Sequence, residues 1–299
     1  MFWKNLFKRK EKSALPTHRT EIIDSGHIKV VVRTDLGNIR LNNEDLGLFY
    51  RIADEQVIRE KGYLLLVADG MGGHQAGEVA SRMASEIISQ EYFKSEKNGG
   101  IEKSLRRAFL SANQQIFQSA SKNKEQHGMG TTCTALVVTE QAIHFGHVGD
   151  SRAYLWKKNA IHRITEDHTY VQELVRSGEI TREEAETHPK RNILTNAMGT
   201  KPDVKVDTGK FHLPFETGDR LLLCSDGLYD YLVDSEIAQW LSGNTITEAA
   251  EQMIQEAKNR GGHDNITIVL AEKTSGETDS PAKETRDFDL PVTKELDLP

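Results

Sequence analysis

The stretch Tyr63-Leu64-Leu65-Leu66-Val67-Ala68-Asp69-Gly70 decides the reading: a short apolar run stops abruptly on a carboxylate and a glycine. A run of this length and composition, bounded by a turn signal, predicts a β-strand. The same ending recurs where His147-Val148-Gly149 meets Asp150 and where Leu221-Leu222-Leu223-Cys224-Ser225 meets Asp226-Gly227, while Asp264-Asn265 immediately precedes the strand-like run 266–271. A strand end at the rim of a sheet can aim a carboxylate without burying it unpaired, and several such ends can converge on one point. Convergence suits a hard cation. Magnesium and manganese favour oxygen ligands, and closely packed carboxylates repel one another unless a cation neutralises them. The glycines after Asp69 and Asp226 let the backbone turn sharply and let a carbonyl oxygen approach an ion. Any single Asp-Gly is more often just a turn. Four strand-edge aspartates, two of them followed by glycine, point instead to a carboxylate metal site.

Outward from these ends, strand-like runs at 28–33, 63–68, 131–138, 142–148, 153–156, 220–224 and 266–271 carry β-branched, aromatic and aliphatic residues. Between the early strands, Val79, Ala80, Met83, Ala84, Ile87 and Ile88 recur at helical spacing, as do Ile101, Leu105, Ala108, Ala112 and Ile116. The short connection containing Asn98-Gly99-Gly100 makes these an antiparallel pair lying on a sheet. A third helix is predicted over about 247–258, ended by Gly261-Gly262. The polar, partly helical stretch 168–199 reads as a flap inserted between strands. One domain is expected over 27–272, preceded by a basic arm (1–26) and followed by an acidic disordered tail (273–299) in which Asp289-Leu290-Pro291 returns as Asp297-Leu298-Pro299.

The 299 residues include 38 basic and 45 acidic side chains, a formal charge of -7, so a broad nucleic-acid-binding surface is not expected. No apolar stretch is long enough to span a bilayer. Phe2, Trp3, Leu6 and Phe7 are mixed with Lys4, Lys8, Arg9, Lys10 and Lys12 in a segment too short and interrupted for a secretory signal. Such an arm is usually solvated, although its composition also suits weak peripheral contact with an anionic membrane surface. Cys133 and Cys224 are too few for a disulfide framework and lie in apolar runs, as expected of reduced thiols in a cytoplasmic protein.

Six separated motifs together resemble one family. Thr34-Asp35-Leu36-Gly37-Asn38-Ile39-Arg40-Leu41-Asn42-Asn43-Glu44-Asp45, Val67-Ala68-Asp69-Gly70-Met71-Gly72-Gly73-His74, Gly130-Thr131-Thr132, Gly149-Asp150-Ser151-Arg152, Ser225-Asp226-Gly227-Leu228 and Asp264-Asn265 occur in the order seen in protein phosphatase 2C enzymes of the bacterial PPM type. The resemblance spans roughly residues 28 to 271. It implies an α+β fold, a four-layer α-β-β-α sandwich with two central antiparallel sheets and a flap. It also implies hydrolysis of phosphoserine and phosphothreonine in proteins by metal-activated water, in opposition to a cognate serine/threonine kinase.

Carried over by motif, Asp69 would bridge two tightly bound Mn2+ or Mg2+ ions, Asp226 and Asp264 would complete the first, and the Gly70 carbonyl would bind the second. Glu44 and Asp45 would hold metal-bound waters, Asp150 would share a third, weaker ion with Asp226, and Arg40 would grip the substrate phosphate through its guanidinium fork. His74 is a candidate general acid, or merely orders its own glycine-rich turn; in eukaryotic relatives a histidine follows the Asp-Gly directly, where Met71 stands here. Lys190-Arg191-Asn192 also resembles the family's flap, and Asn196 stands where bacterial relatives often have arginine. Two rival functions are a metallo-phosphoesterase acting on small phosphate esters and a noncatalytic phosphoprotein-binding module. The filled carboxylate positions weigh against the second.

Overall fold

Neighbouring residues of one strand serve different cores. In the computed structural model, Leu64 and Leu66 join one buried cluster while Leu65 and Val67 join another. Leu221 and Leu223 likewise part from Leu222 and Cys224. Side chains of a strand alternate between faces, so strands apolar on both faces must be covered on both. Three stacked cores with two sheets between them satisfy this, and they give four layers.

The structure describes residues 18–50, 54–72, 76–95 and 99–275. One sheet orders β1 (His18–Asp24), β2 (Ile28–Asp35), β12 (Ile266–Lys273), β11 (Arg220–Cys224), β8 (Arg152–Lys157) and β9 (Ala160–Arg163) as β1-β2-β12-β11-β8-β9. The other orders β10 (Asp207–Lys210), β7 (Ile143–Val148), β6 (Cys133–Val138), β4 (Tyr63–Met71) and β3 (Asp45–Tyr50) as β10-β7-β6-β4-β3, with β5 (Gly130–Thr131) on the end of β4. All pairings are antiparallel. Val30, Val32, Phe49, Leu65, Leu136 and Leu223 fill the space between the sheets. Truncating one of them, as in Leu65→Ala, is expected to cost about 2–5 kcal/mol through lost burial and the cavity left behind.

Helices form the outer layers, three where the sequence predicts them and one, over 234–243, that it does not; a further short helix, α1 (Glu55–Lys61), leads into β4. Ala80, Ala84 and Ile88 of α2 (Ala76–Lys94) and Leu105, Phe109 and Ile116 of α3 (Gly100–Lys122) pack on the second sheet. The first sheet is covered by α7 (Asp234–Gly243) and α8 (Ile246–Asn259), through Ile237, Leu241, Met253 and Ile254. A capping box between Thr245 and Glu248 starts α8, and Gly262, at φ 57°, follows its end. Cys133 and Cys224 are buried and unpaired. Among the described residues no helix is long and apolar enough to cross a membrane.

Two differences from expectation stand out. The sequence places residues 18–24 in the basic arm, yet they form β1, paired with β2 from His18↔Asp35 to Asp24↔Lys29. As an edge strand β1 buries little of its surface, with Ile22 exposed and Ile23 only just buried, so its main-chain bonds, not an apolar pattern, hold it. Among the described residues, the first sheet therefore reaches back to His18. Asp45, a predicted site residue, also opens a full strand, Asp45–Tyr50, that the sequence does not predict. The flap is partly helical as expected, with α4 (Tyr170–Ser177) and α5 (Arg182–Glu186), each started by a threonine cap. Residues 1–17 of the arm and 276–299 of the tail, with the repeated Asp-Leu-Pro, lie outside the described residues.

Candidate metal centre

The register of β3 on β4 sets Asp45 directly opposite Asp69. Like charges in that position destabilise a sheet, so this pairing needs an external reason. From the other sheet, the end of β11 delivers Asp226 at the first turn of α6 (Asp226–Tyr229), and the start of β12 delivers Asp264-Asn265. The turn after β7 brings in Asp150. Both sheets thus end in acids at one edge.

Electrostatics show that these groups face one another. Burial raises the pKa of Asp69 well above the carboxylate range, and Asp45, Asp226, Asp150 and Asp264 each raise it further. Asp226 is raised by burial and then by Asp150 and Asp264. Burial also raises Asp45 and Asp150. Glu44 is pushed up to about 7, first by burial, with Arg40 opposing. The Oδ1 atom of Asp226 is buried without a hydrogen-bond partner. A buried carboxylate oxygen in that situation is expensive unless a cation satisfies it.

Local hydrogen bonds fix the acids in place. The Ser225 hydroxyl donates to Asp45 Oδ2 at 2.6 Å and receives the Thr267 N–H at 3.0 Å, tying the two sheets together at the site. Asp69 is clamped through its backbone, its N–H donating to Thr132 Oγ1 (3.1 Å) and its carbonyl accepting from Thr131 Oγ1 (2.8 Å) and Thr132 N (2.9 Å). Glu44 lies against α2, where a Cβ at Gly77 would fall 2.3 Å from its Oε2, so only glycine permits that approach. Gly70 donates its N–H to the Glu44 carbonyl at 3.1 Å. The Asp150 turn is held by His168, whose Nδ1 accepts from Gly149 N (3.1 Å) and whose N–H donates to Gly149 O (2.7 Å). His168 Nε2 in turn meets Asp207 Oδ2 at 3.0 Å, and this hydrogen bond is the main cause that lowers the Asp207 pKa.

Arg40 is exposed and donates to Asp264 Oδ2 at 2.6 Å, so the predicted phosphate grip and one predicted ligand are in direct contact. Its loop is pinned from both sides: Asn38 Nδ2 donates to the carbonyls of Lys258 (2.7 Å) and Gly261 (3.0 Å), and Asn265 Nδ2 to those of Leu36 (3.0 Å) and Asn42 (3.1 Å). Gly37, at φ 75°, passes so close to Asp264 that a Cβ would lie 2.2 Å from its carbonyl oxygen. On the flap side, Asn192 donates to Asp230 Oδ2 at 3.3 Å and Arg191 lies 3.8 Å from it, one turn beyond Asp226. Asn196 does not reach toward the acids; its amide bridges His168 Nδ1 (2.9 Å) and the Lys205 carbonyl (2.8 Å). His127 is an exposed residue after a short turn, and His74 lies outside the described residues.

The acids gather at one edge of the two sheets; among the described residues no three His, Cys, Asp or Glu groups close a cage on one point. An open, all-oxygen arrangement fits magnesium or manganese, which complete their shells with carbonyls and water. The residues present therefore fit such ions, with the unpartnered Asp226 oxygen the plainest sign. Ser225, Asn265, Thr131 and Thr132 lie in the recognised motifs, yet their support of Asp45, Glu44 and Asp69 was not foreseen. Asp167, Asp207 and His168 carried no separate signal, since only the fold brings their sequence segments beside the Asp150 turn.

The comparisons with known proteins agree. The family model described as protein phosphatase 2C matches residues 52–271. The serine/threonine phosphatase stp of Listeria monocytogenes is 42% identical over 81% of this chain and 94% of its own. The crystal structure of the Mycobacterium tuberculosis serine/threonine phosphatase PstP/Ppp matches with a TM-score of 0.71 and 35% identity, over 83% of this chain and 99% of that one. The catalytic domain of PstP in complex with 2 manganese ions matches with a TM-score of 0.68 and 33% identity, over 83% and 99% of the two chains. With the two-sheet sandwich and the acidic edge already in place, this chain belongs to the protein phosphatase 2C family and is a protein serine/threonine phosphatase of the bacterial PPM type.

Proposed function

We propose that the acidic edge is a divalent-cation centre for hydrolysis of phosphoserine and phosphothreonine in proteins, with Mn2+ or Mg2+ as the ions. Asp69, Asp226, Asp264 and the Gly70 carbonyl are the groups for two tighter ions, Glu44 and Asp45 act through water, and Asp150 with Asp226 serves a third, weaker one. The observation that carries this proposal is the buried, unpartnered Oδ1 of Asp226 within a ring of acids that raise one another's pKa. When bound, divalent cations acidify a water for attack and offset charge on the phosphoryl oxygens.

The chain's own residues do the rest. Ser225, Thr131 and Thr132 hold Asp45 and Asp69 against their mutual repulsion. Arg40 exchanges its contact with Asp264 for the substrate phosphate, a planar fork being suited to two phosphoryl oxygens. Stabilising those oxygens is the main contribution a protein can make to a loose phosphoryl-transfer transition state. A serine/threonine kinase acting on the same phosphoproteins is the proposed counterpart, and a cytoplasmic location is proposed with it, a reading that the two buried, unbridged cysteines support.

Phosphate release from a phosphothreonine peptide, with and without Mn2+ and beside a nucleotide substrate, tests the proposal. Release that needs Mn2+ and favours the peptide supports it. Equal release without divalent cations overturns the metal assignment, and preference for the nucleotide overturns the substrate class.

A further inference from the structure

Among the described residues, six large hydrophobic side chains are exposed, and two of them, Ile39 (62%) and Leu41 (90%), flank Arg40 in sequence. A third, Ile193 (49%), follows Asn192, the flap residue that reaches Asp230 one turn beyond Asp226. Scattered exposed hydrophobics need no explanation. These three sit on the two segments that border the acidic edge.

The loop carrying Ile39 and Leu41 is also not free to fold them away. Asn38 is tied to the end of α8, Asn42 accepts from Asn265, and Gly37 is wedged against Asp264. Both apolar side chains are thereby presented on a backbone already ordered. Pre-ordered apolar groups at the rim of a site gain by covering an incoming apolar group without a further ordering cost. Arg40 between them fixes what arrives there, because a guanidinium fork holds the phosphate and Ile39 and Leu41 are the exposed residues next to it on the same pinned loop.

We infer that Ile39 and Leu41, with Ile193 on the flap beside Asn192, form an apolar rim that selects phosphoprotein segments carrying a bulky apolar residue within two positions of the phosphothreonine or phosphoserine. The inference rests on the assignment of Arg40 as the phosphate grip. The occupant is the substrate segment itself, since the rim is continuous with that arginine. The flap side adds Lys190, stacked over Tyr170, and Arg191, so the approach to the edge is basic and apolar where the interior is acidic.

The test compares kcat/KM for two phosphothreonine peptides of equal charge, one with leucine and one with serine on each side of the phosphothreonine, using the full chain with Mn2+. The wild type is expected to favour the leucine peptide by about tenfold, or about 1.4 kcal/mol. Leu41→Asn combined with Ile39→Asn is expected to bring that ratio close to one, with the change mostly in KM. Both side chains are exposed, so the variant folds. A wild-type ratio near one, or a ratio unchanged in the double variant, overturns the inference. The Arg40 assignment is tested separately: Arg40→Ala with unaltered KM refutes the grip, and persistence of the leucine preference in that variant shows that the rim selects without it.

Discussion

Asp150 and Asp167 are both buried, 5% and 9% exposed, and their charges are treated in opposite ways. Burial alone would raise both. At Asp167, Arg152 and Arg163 outweigh it and hold the pKa below the usual range, through hydrogen bonds from Arg152 Nη2 (2.8 Å) and from Arg163. At Asp150 burial wins, Asp167 adds to the rise, and Arg152, already committed to Asp167, offsets only part of it. Arg152 is further held over the Tyr229 ring, 3.5 Å from its centroid. The fold thus contains a finished ion cluster within a few residues of an unfinished one. A chain that places two arginines on Asp167 but none on Asp226 or Asp69 leaves those acids uncompensated, as the proposed cation site requires.

The contrast can be broken from either side. Asp226→Asn removes charge from the acid with the unpartnered oxygen, and turnover on a phosphothreonine peptide is expected to fall on the order of 100- to 1,000-fold with the fold intact by circular dichroism. Substantial Mn2+-dependent turnover would remove Asp226 from the centre. Arg152→Met strands Asp167 instead and should lower stability by about 3 kcal/mol in urea unfolding. A loss below about 1 kcal/mol would mean that Arg163 alone suffices. Arg40→Ala should raise KM for the peptide on the order of tenfold, with a smaller change in metal binding, because it removes a charge-assisted contact and no ligand. Unchanged KM would assign the phosphate to another group.

The smallest effect is the pH dependence, where the two regions have opposite signs. Folding raises the pKa of Glu44 from 4.5 to about 7 and raises Asp226. Stability from such groups is complete below their unfolded pKa and is lost as pH rises through the folded value, so metal-free protein should weaken between about pH 4.5 and 7. Asp167, lowered by folding, contributes above its unfolded pKa and loses that contribution as pH falls. Urea titrations across pH should show both limbs, and Asp226→Asn should flatten the upper limb alone. An unaltered upper limb would place the titrating groups elsewhere.

The acidic edge was legible because apolar runs that stop on Asp leave a local signature, as at Ala68-Asp69-Gly70 and Ser225-Asp226-Gly227, even though β4 itself continues to Met71 on β5. The long helices showed for a similar reason, with Ala80, Ala84 and Ile88 repeating at one face. What stayed hidden depends on partners distant in sequence. β1 has no buried stripe and exists through its pairing with β2, while β10, Asp-Thr-Gly-Lys, owes its extension to β7. The strand Asp45–Tyr50 is buried along most of its length between α2 and the opposite sheet, so no alternation marks it. Support of the Asp150 turn by His168 and Asp207 was invisible for the same reason: the three come from separate segments.

The most direct measurement is the thermal midpoint of wild type and Asp226→Asn at pH 7.5, each with and without Mn2+. Asp226→Asn without metal should be at least as stable as wild type, because it relieves repulsion with Asp150 and Asp264. Saturating Mn2+, at about 100 times its Kd, should stabilise wild type by about 2.7 kcal/mol and raise its midpoint by several degrees, with little gain in the variant. A variant less stable than wild type without metal, or one that gains as much from Mn2+, would contradict the assignment of the acidic edge as the cation site.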